Sequence, residues 1–286
     1  MNKVEEASAN LAWPTVMLGI VLTAFYVLVP FLVHDAVITF GQGLFVMTLI
    51  TYASYSVLHD AVHGAINGDR TEYRWINELL GYAAGWIMGV PLTAHRHAHL
   101  THHRNTNIDG HDPDLSYAKA ENFWLELLQF WSRATALQYK FYIKNRWNLK
   151  KGNQNRNFCL EILLQIGVRL LVMWQVGWWL GLGLFILSSV IAVTILVYLF
   201  AYIVHRPHDQ SGRYKDTSTI LIKGSFGQIL TVLWAYQNYH SVHHLYPRVP
   251  FYRYPEVYEE IKDEMSAKGA PTFQLTGTGL ANLKIS

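Results

Sequence analysis

Four stretches of this chain are long and apolar enough to cross a lipid bilayer. They cover approximately residues 11–33, 37–58, 158–179 and 184–204. A bilayer core about 30 Å thick requires roughly 20 helical residues. Only 15% of the residues are charged and 51% are hydrophobic, whereas about a quarter of the residues of a soluble domain are charged. The sequence therefore predicts an all-α integral membrane protein, with one domain over residues 1–286.

The four stretches pair into two hairpins, because the first and second, and the third and fourth, are separated by only a few residues. All but one of the 23 Lys and Arg residues lie in the N-terminal tail, in residues 59–157 or in residues 205–286. Because positive charge is retained on the cytoplasmic side, we expect both termini and the long middle segment to be cytoplasmic. The expected location is a bacterial inner membrane.

Three further segments are predicted to form helices that do not span the bilayer. Residues 76–92 and 225–237 are apolar, but the histidines on either side of each must reach the same surface, so we expect these segments to dip into the membrane or lie flat. Residues 120–148 mix aromatic and basic side chains, which suits a helix along the lipid headgroups.

Arg169 is the exception to the charge distribution, because it lies inside the third span. An intramembrane charge is a candidate for function. The simpler expectations are an internal link to Glu161, two turns earlier, or a side chain that extends to the membrane surface.

Composition excludes several kinds of site. The single cysteine, Cys159, rules out disulfides, iron–sulfur clusters and tetrathiolate zinc. The net charge of +3 and the absence of a basic run with interleaved aromatics argue against a nucleic-acid partner. Any metal must be held by imidazole.

The chain has 14 histidines, most of them in four tight groups: HDAVH (59–63), HRHAHLTHH (95–103), HRPH (205–208) and HSVHH (240–244). Residues three and four positions apart share one face of a helix, so several imidazoles of one group can reach the same volume. The candidate ligands are His59, His63, His99, His102, His103, His205, His240, His243 and His244.

Nine histidines exceed what one ion can accept, so the count predicts two metal ions. Imidazole suits iron, zinc, copper and nickel, and the donors alone leave the metal open. Nearby carboxylates would orient the imidazoles and offset the charge of the ions. These second-layer candidates are Asp60, Asp112, Asp114 and Asp209. The roles of His95, His97 and His208 stay open between metal ligand and supporting group, because none completes a regular pair.

Three of the groups resemble the histidine boxes of the membrane fatty-acid desaturase and hydroxylase superfamily, which includes acyl desaturases, alkane hydroxylases and carotenoid-ring hydroxylases and ketolases. They are HDAVHG (59–64), HLTHHRNTN with the following DPD (99–107 and 112–114) and YQNYHSVHHLYPRVPFYRYP (236–255). The resemblance implies two iron ions, with O2 as co-substrate, at a site that attacks an unactivated C–H bond.

Carried over by position, the resemblance implies that the eight box histidines bind iron. His205 is similar to an extra histidine that alkane hydroxylases place at the end of a span, and His208 is its rival for that position. No catalytic residue is expected beyond the metal site. The chain has no room for a fused redox domain, so a separate donor of ferredoxin, rubredoxin or reductase type is expected to supply electrons.

HDAVHG and the short chain look more like the carotenoid-ring and bacterial acyl hydroxylase branch. We therefore expect hydroxylation of a long apolar acyl chain, fatty or polyketide-type, or of an isoprenoid chain that enters from membrane lipid. Desaturation of an acyl chain is the alternative. A metal transporter is a more remote possibility, because transporter ligands lie near the bilayer midplane, whereas these histidines cluster at one surface. A zinc hydrolase is also less favoured, because it usually needs only three protein ligands per ion, and nine histidines exceed that number.

Overall fold

The computed structural model describes residues 3–117, 123–149, 152–277 and 279–283, most of them in helices. The first half of the chain forms α1 (Lys3–Ala9), α2 (Trp13–His34), α3 (Phe40–His63), α4 (Arg74–Met88), α5 (Leu92–Asn105) and α6 (Phe123–Asn145). The second half forms α7 (Gln154–Val176), α8 (Trp178–Leu196), α9 (Gly227–Leu233), α10 (His240–Leu245) and α11 (Tyr254–Ala267).

Within the described residues, three helical segments are long and apolar enough to cross a membrane: α2, α7 and the segment Trp178–Tyr202, which joins α8 to a short π-helix. The predicted span at 37–58 corresponds to α3, which is long enough at 24 residues. However, α3 carries buried polar side chains such as Thr51, Ser54 and Ser56, which make it less apolar. The arrangement with four spans therefore stays a prediction.

The two predicted hairpins form, and their turns meet. Thr39 begins α3 with a capping box, in which its side chain accepts from the Gln42 backbone and the Gln42 side chain accepts from the Thr39 backbone. Gly177 joins α7 to α8 with a φ of 100°, a conformation that favours glycine. His34 Nδ1 lies 3.1 Å from the Val176 carbonyl oxygen, so both turns lie at the same end of the bundle.

Helices α4 and α5 form a third hairpin, which contacts α7. The turn begins at Gly89, in the left-handed conformation, and lies beside the middle of α7. This geometry fits a segment that dips into the bilayer, as predicted for 76–92. Helix α9 has only seven residues, about 10 Å of helix, which is too short to cross.

Helix α6 covers most of the predicted segment 120–148. Residues 120–122 of that segment lie outside the described residues. Trp131 Nε1 donates to Ser189 Oγ at 2.9 Å, which places α6 against the middle of α8. Phe130 and Tyr142 are fully buried. The helix is therefore packed against the bundle, and its expected position along the headgroups stays a prediction.

A small sheet corrects the all-α prediction. Strand β1 (Thr219–Ile222) runs parallel to β2 (Thr272–Thr276), and β2 pairs antiparallel with β3 (Gly279–Asn282). Asn238 Nδ2 donates to the Ile220 carbonyl oxygen at 3.0 Å. The sheet thus supports the turn that leads into the histidines of α10.

Candidate metal centre

The histidine boxes come together where α3, α5, α10 and the segment after α8 meet. The C-terminal turn of α3 brings His59 and His63, and α5 brings His99, His102 and His103. His205 follows the π-helix, and α10 supplies His240, His243 and His244. His59 is 1% exposed and His243 is fully buried, so these two rings are shielded from water, whereas His63, His103 and His244 are partly buried.

The first histidine group consists of His59, His63, His99 and His243. One ring nitrogen of each lies within 4.8 Å of the others. The ring centres of His59 and His243 are 4.0 Å apart, which joins the first box to the third. His59 and His243 are 184 positions apart along the chain, and the fold brings their rings into contact.

The second histidine group consists of His102, His205 and His244. His102 Nε2 lies 2.9 Å from His205 Nε2. His103 joins the two groups, because its Nε2 lies 3.1 Å from His99 Nε2 and 2.8 Å from His243 Nε2. His240 lies beside the second group, with its ring centre 4.7 Å from that of His205.

Acceptors outside the cluster hold the far nitrogens of several rings. Nδ1 of His205 lies 2.9 Å from the Ala201 carbonyl oxygen, and Nδ1 of His240 lies 2.8 Å from Gln237 Oε1. When Nδ1–H donates to such an acceptor, Nε2 presents its lone pair to the cluster. His243 Nδ1 similarly contacts the Tyr254 hydroxyl at 3.1 Å. These contacts therefore fix the rings as donors to a common centre.

Carboxylates surround the second group. Asp112 Oδ1 lies 2.8 Å from His102 Nδ1, and Asp114 Oδ2 lies 3.9 Å from the same nitrogen. Asp216 Oδ2 is 4.0 Å from His244 Nδ1. The sequence predicted Asp112 and Asp114 but not Asp216, because Asp216 lies in an irregular segment between HRPH (205–208) and HSVHH (240–244) and belongs to no motif. Gln237, three residues before His240, could have been found from the helical spacing.

The other sequence candidates lie outside the groups. His97 Nε2 contacts Gln154 Oε1 at 3.0 Å, and Asp60 accepts from Thr15 Oγ1 at 2.9 Å and from the Phe251 amide at 3.3 Å. Asp209 is exposed. The ring of His208 packs against Tyr202, with centres 5.4 Å apart. The geometry therefore places His205, and not His208, among the converging nitrogens.

His95 occupies an intermediate position. Its Nδ1 lies 3.3 Å from Gln138 Oε1, and its ring stacks on His99 with centres 5.4 Å apart. Its Nε2 is buried and has no hydrogen-bond partner within the described residues. His95 thus adjoins the first group without sharing its volume.

Burial and mutual repulsion keep most of the cluster neutral. Burial, followed by the charge of neighbouring histidines, lowers the pKa of His59, His99 and His243 well below 6.5. Burial also lowers the pKa of His63 to about 3. The pKa of His102 is raised instead. Burial acts to lower it, but the hydrogen bond to Asp112 and the charges of the nearby carboxylates outweigh burial. Neutral imidazole is the form that binds a metal.

The arrangement fits metal ions. Within the described residues, both nitrogens of His59 and Nε2 of His63, His240 and His244 are buried without hydrogen-bond partners, which is costly unless another group binds them. Metal–imidazole bonds are about 2.1 Å long, so adjacent donors at right angles are about 3 Å apart. The contacts of 2.8–3.1 Å between Nε2 atoms match this spacing.

The cluster borders a cavity whose wall is mostly apolar. His99, His102, His205 and His240 line it, together with the polar side chains of His95, Asp114 and Gln138. The remaining wall residues include Leu58, Met88, Val90, Val193, Leu196, Val197 and Phe200. An apolar ligand in this cavity would therefore lie directly against the candidate metal centre.

Comparison with known proteins assigns the chain to a family. The profile of the fatty acid desaturase family matches residues 36–276, which include all the histidines of the cluster. The chain belongs to the fatty acid desaturase family. Its relatives include the beta-carotene ketolase of Paracoccus sp. (strain PC1), 24% identical over 215 residues, which are 73% of this chain and 75% of the ketolase. The sphingolipid delta(4)-desaturase DES1 of Drosophila melanogaster is 23% identical over 216 residues, 73% of this chain and 62% of that protein.

Family membership explains the chemistry of the cluster. The fatty acid desaturase family is di-iron, and both relatives are oxidoreductases. The converging histidines provide the donor type that such a centre requires. The family and the relatives together support oxidation of lipid chains and leave hydroxylation and desaturation open.

Proposed function

We propose that this protein oxidises an unactivated C–H bond of an apolar acyl or isoprenoid chain, with hydroxylation as the preferred outcome and desaturation as the alternative. The observation that carries this proposal is the convergence of the histidine cluster beside a mostly apolar cavity. Two iron ions held there would supply the activation of O2 with two electrons from a separate donor.

The protein's own residues have three tasks in this reaction. The first and second histidine groups, with His103 and His240, would bind the two ions. Asp112, Gln237, Tyr254 and the Ala201 carbonyl hold the outer nitrogens and orient the rings. The apolar walls exclude water and position the substrate carbon. We place this site on the cytoplasmic side, where a soluble electron donor can reach it.

Two observations favour an apolar chain as the substrate. Leu196, Val197 and Phe200 line the cavity beside the histidines, and the surrounding helices expose apolar side chains such as Leu163, Leu164 and Leu187. The relatives bear the names of a beta-carotene ketolase and a sphingolipid desaturase. A substrate that enters from lipid suits both the cavity and these names.

The test is product analysis under labelled O2. Purified protein in lipid vesicles, supplied with reduced ferredoxin and ferredoxin reductase, would be given palmitoyl lipid or β-carotene, and products would be analysed by mass spectrometry. We expect one atom of the label in the product. An alkene without label would contradict hydroxylation and support desaturation. Iron-loaded protein that oxidises no lipid in cells or vesicles would contradict the proposed function.

A further inference from the structure

A polar stripe on α7 lies against the turn between α4 and α5. The stripe consists of Glu161, Gln165 and Arg169, which are four residues apart and therefore share one face of the helix. Glu161 is 8% exposed and Gln165 is 4% exposed. None of the three belongs to the histidine cluster, so the metal centre does not explain why polar groups are kept within a span.

Arg169 holds the end of α4. Its guanidinium donates to the carbonyl oxygens of Trp86 and Ile87, in the last turn of that helix. It also contacts the Tyr26 hydroxyl, at 3.3 Å from Nε and 3.2 Å from Nη2. Gln165 Nε2 reaches the Gly85 carbonyl oxygen at 3.4 Å. The expected link between Glu161 and Arg169 is replaced by these contacts, and Arg169 points inward.

Glu161 holds the start of α5. Its carboxylate accepts from the Thr93 amide, at 3.2 Å to Oε1, and from the Thr93 hydroxyl. The first N–H groups and last C=O groups of any helix lack partners within the helix, and lipid offers none. The carboxylate faces the positive end of α5 and the guanidinium faces the negative end of α4, which matches the two helix dipoles.

The turn held by the stripe forms part of the cavity wall. Met88 and Val90, at the two sides of Gly89, line the same cavity as the histidines. Helix α5 leaves this turn and carries His99 and His102 to the metal centre. The position of the turn therefore determines both part of the cavity wall and the placement of ligands from the second box.

We propose that Glu161, Gln165 and Arg169 are positioning residues that hold the wall of the substrate cavity formed by Met88 and Val90, and thereby determine which carbon of the chain reaches the metal centre. The stripe does so by holding the turn between α4 and α5 at a fixed level along α7. The part concerning the reacting carbon rests on the proposed function. The part concerning the turn does not, and the two are tested separately.

Hydrogen–deuterium exchange of the iron-loaded protein in micelles tests whether the stripe holds the turn. Arg169→Gln and Glu161→Gln should accelerate amide exchange in residues 85–95, while residues 240–245 keep their protection. Arg156→Gln is the matched control, because Arg156 is exposed on the same helix, and it should leave exchange unchanged. Equal exchange of residues 85–95 in all four proteins would overturn the proposal.

Product analysis tests the effect on the reacting carbon. In vesicles containing palmitoyl lipid or β-carotene, Arg169→Gln and Glu161→Gln should shift the position of oxidation and raise KM more than they lower kcat. Wild-type positions with normal iron content in both variants would overturn the proposal.

A second variant guards against loss of folding. If residues 240–245 lose protection in the stripe variants, Val90→Ala, which enlarges the cavity beside the turn and leaves the stripe residues in place, should shift the position of oxidation. An unchanged position in Val90→Ala would also overturn the proposal. If the wild-type protein makes no O2-dependent product, the proposed function fails, whereas the exchange measurement still decides whether the stripe holds the turn.

Discussion

The two histidine groups lie side by side but in different electrostatic environments. In the first group, His59, His99 and His243 are deeply buried, and the described contacts of their rings are with other rings and with Tyr254. In the second group, Asp112 lies 2.8 Å from His102 and Asp216 lies 4.0 Å from His244. The first group therefore offers neutral donors, and the second adds negative charge behind its donors.

This difference indicates how an all-imidazole centre can carry two cations inside a protein. A buried cation is costly unless nearby charges offset it. The carboxylates of the second group provide that compensation at one side of the cluster. His103 lies between the two groups. Its Nε2 faces His99 and His243 of the first group, and its ring stacks on His244 of the second, with centres 4.1 Å apart.

Loss of a ligand from either group should have the largest effect. His243→Ala and His102→Ala should each abolish activity and lower iron content, because ligand loss removes metal. The protein should remain in the membrane fraction, since neither residue lies in a spanning helix. Metal analysis and product formation measure both effects. His111→Ala, at an exposed histidine, is the control, and retained activity in either ligand variant would contradict the assignment of its group.

Asp112→Asn should have the next largest effect, because it removes the charge behind His102 and keeps the shape. Loss of such a supporting partner typically lowers metal affinity or activity about 10–100-fold. Iron titration of the metal-free protein and steady-state rates measure this loss. The exposed Asp209 provides the control variant Asp209→Asn. Equal rates for Asp112→Asn and Asp209→Asn would show that the charge of Asp112 does not distinguish the second histidine group from the first.

Asp216→Asn should have a smaller effect than Asp112→Asn, because the distance to His244 Nδ1 is 4.0 Å and exceeds that of a hydrogen bond. We expect a loss below about 10-fold, the lower end of the range for supporting partners. The same iron titration measures it. A larger loss than in Asp112→Asn would show that Asp216 is the main compensating charge.

Tyr254→Phe should have the smallest effect of the series. It removes one neutral contact to His243 Nδ1, and a single hydrogen bond contributes about 0.5–1.5 kcal/mol, or roughly 2–10-fold in rate. Steady-state kinetics measure the change. Tyr252→Phe, at a half-buried neighbour, is the matched control. A loss as large as that of Asp112→Asn would mean that the first group depends on its hydrogen bonds as much as the second depends on charge.

The histidine spacing predicted which side chains share one face of a helix. His240, His243 and His244 share a face of α10 because the helical repeat requires it, and the same holds for His99, His102 and His103 on α5. Position in sequence was a weaker guide to their partners. Asp60 follows His59, but adjacent residues of a helix point in different directions, and Asp60 binds Thr15 and Phe251.

Features that depend on distant pairing were not accessible from the sequence. Strand β1 pairs with β2 across about 50 positions. The residues of β1 (TILI) lack the alternation that marks a half-buried strand, and β2 (TFQLT) alternates over only five residues, with nothing in the sequence to indicate its distant partner. Asp216 reaches His244 only because the chain between α8 and α10 folds back. The length and apolar character of α3 are visible in the sequence, but the burial of its polar residues became evident only from the packing.

Mössbauer spectroscopy of protein reconstituted with 57Fe, combined with metal analysis, measures how many iron ions the histidine cluster holds and how their surroundings differ. We expect two iron ions per chain in two distinguishable surroundings, with His102→Ala and Asp112→Asn altering one signal more than the other. One iron per chain in the fully reconstituted protein, or two that remain equivalent in Asp112→Asn, would rule out a two-iron centre with distinct surroundings.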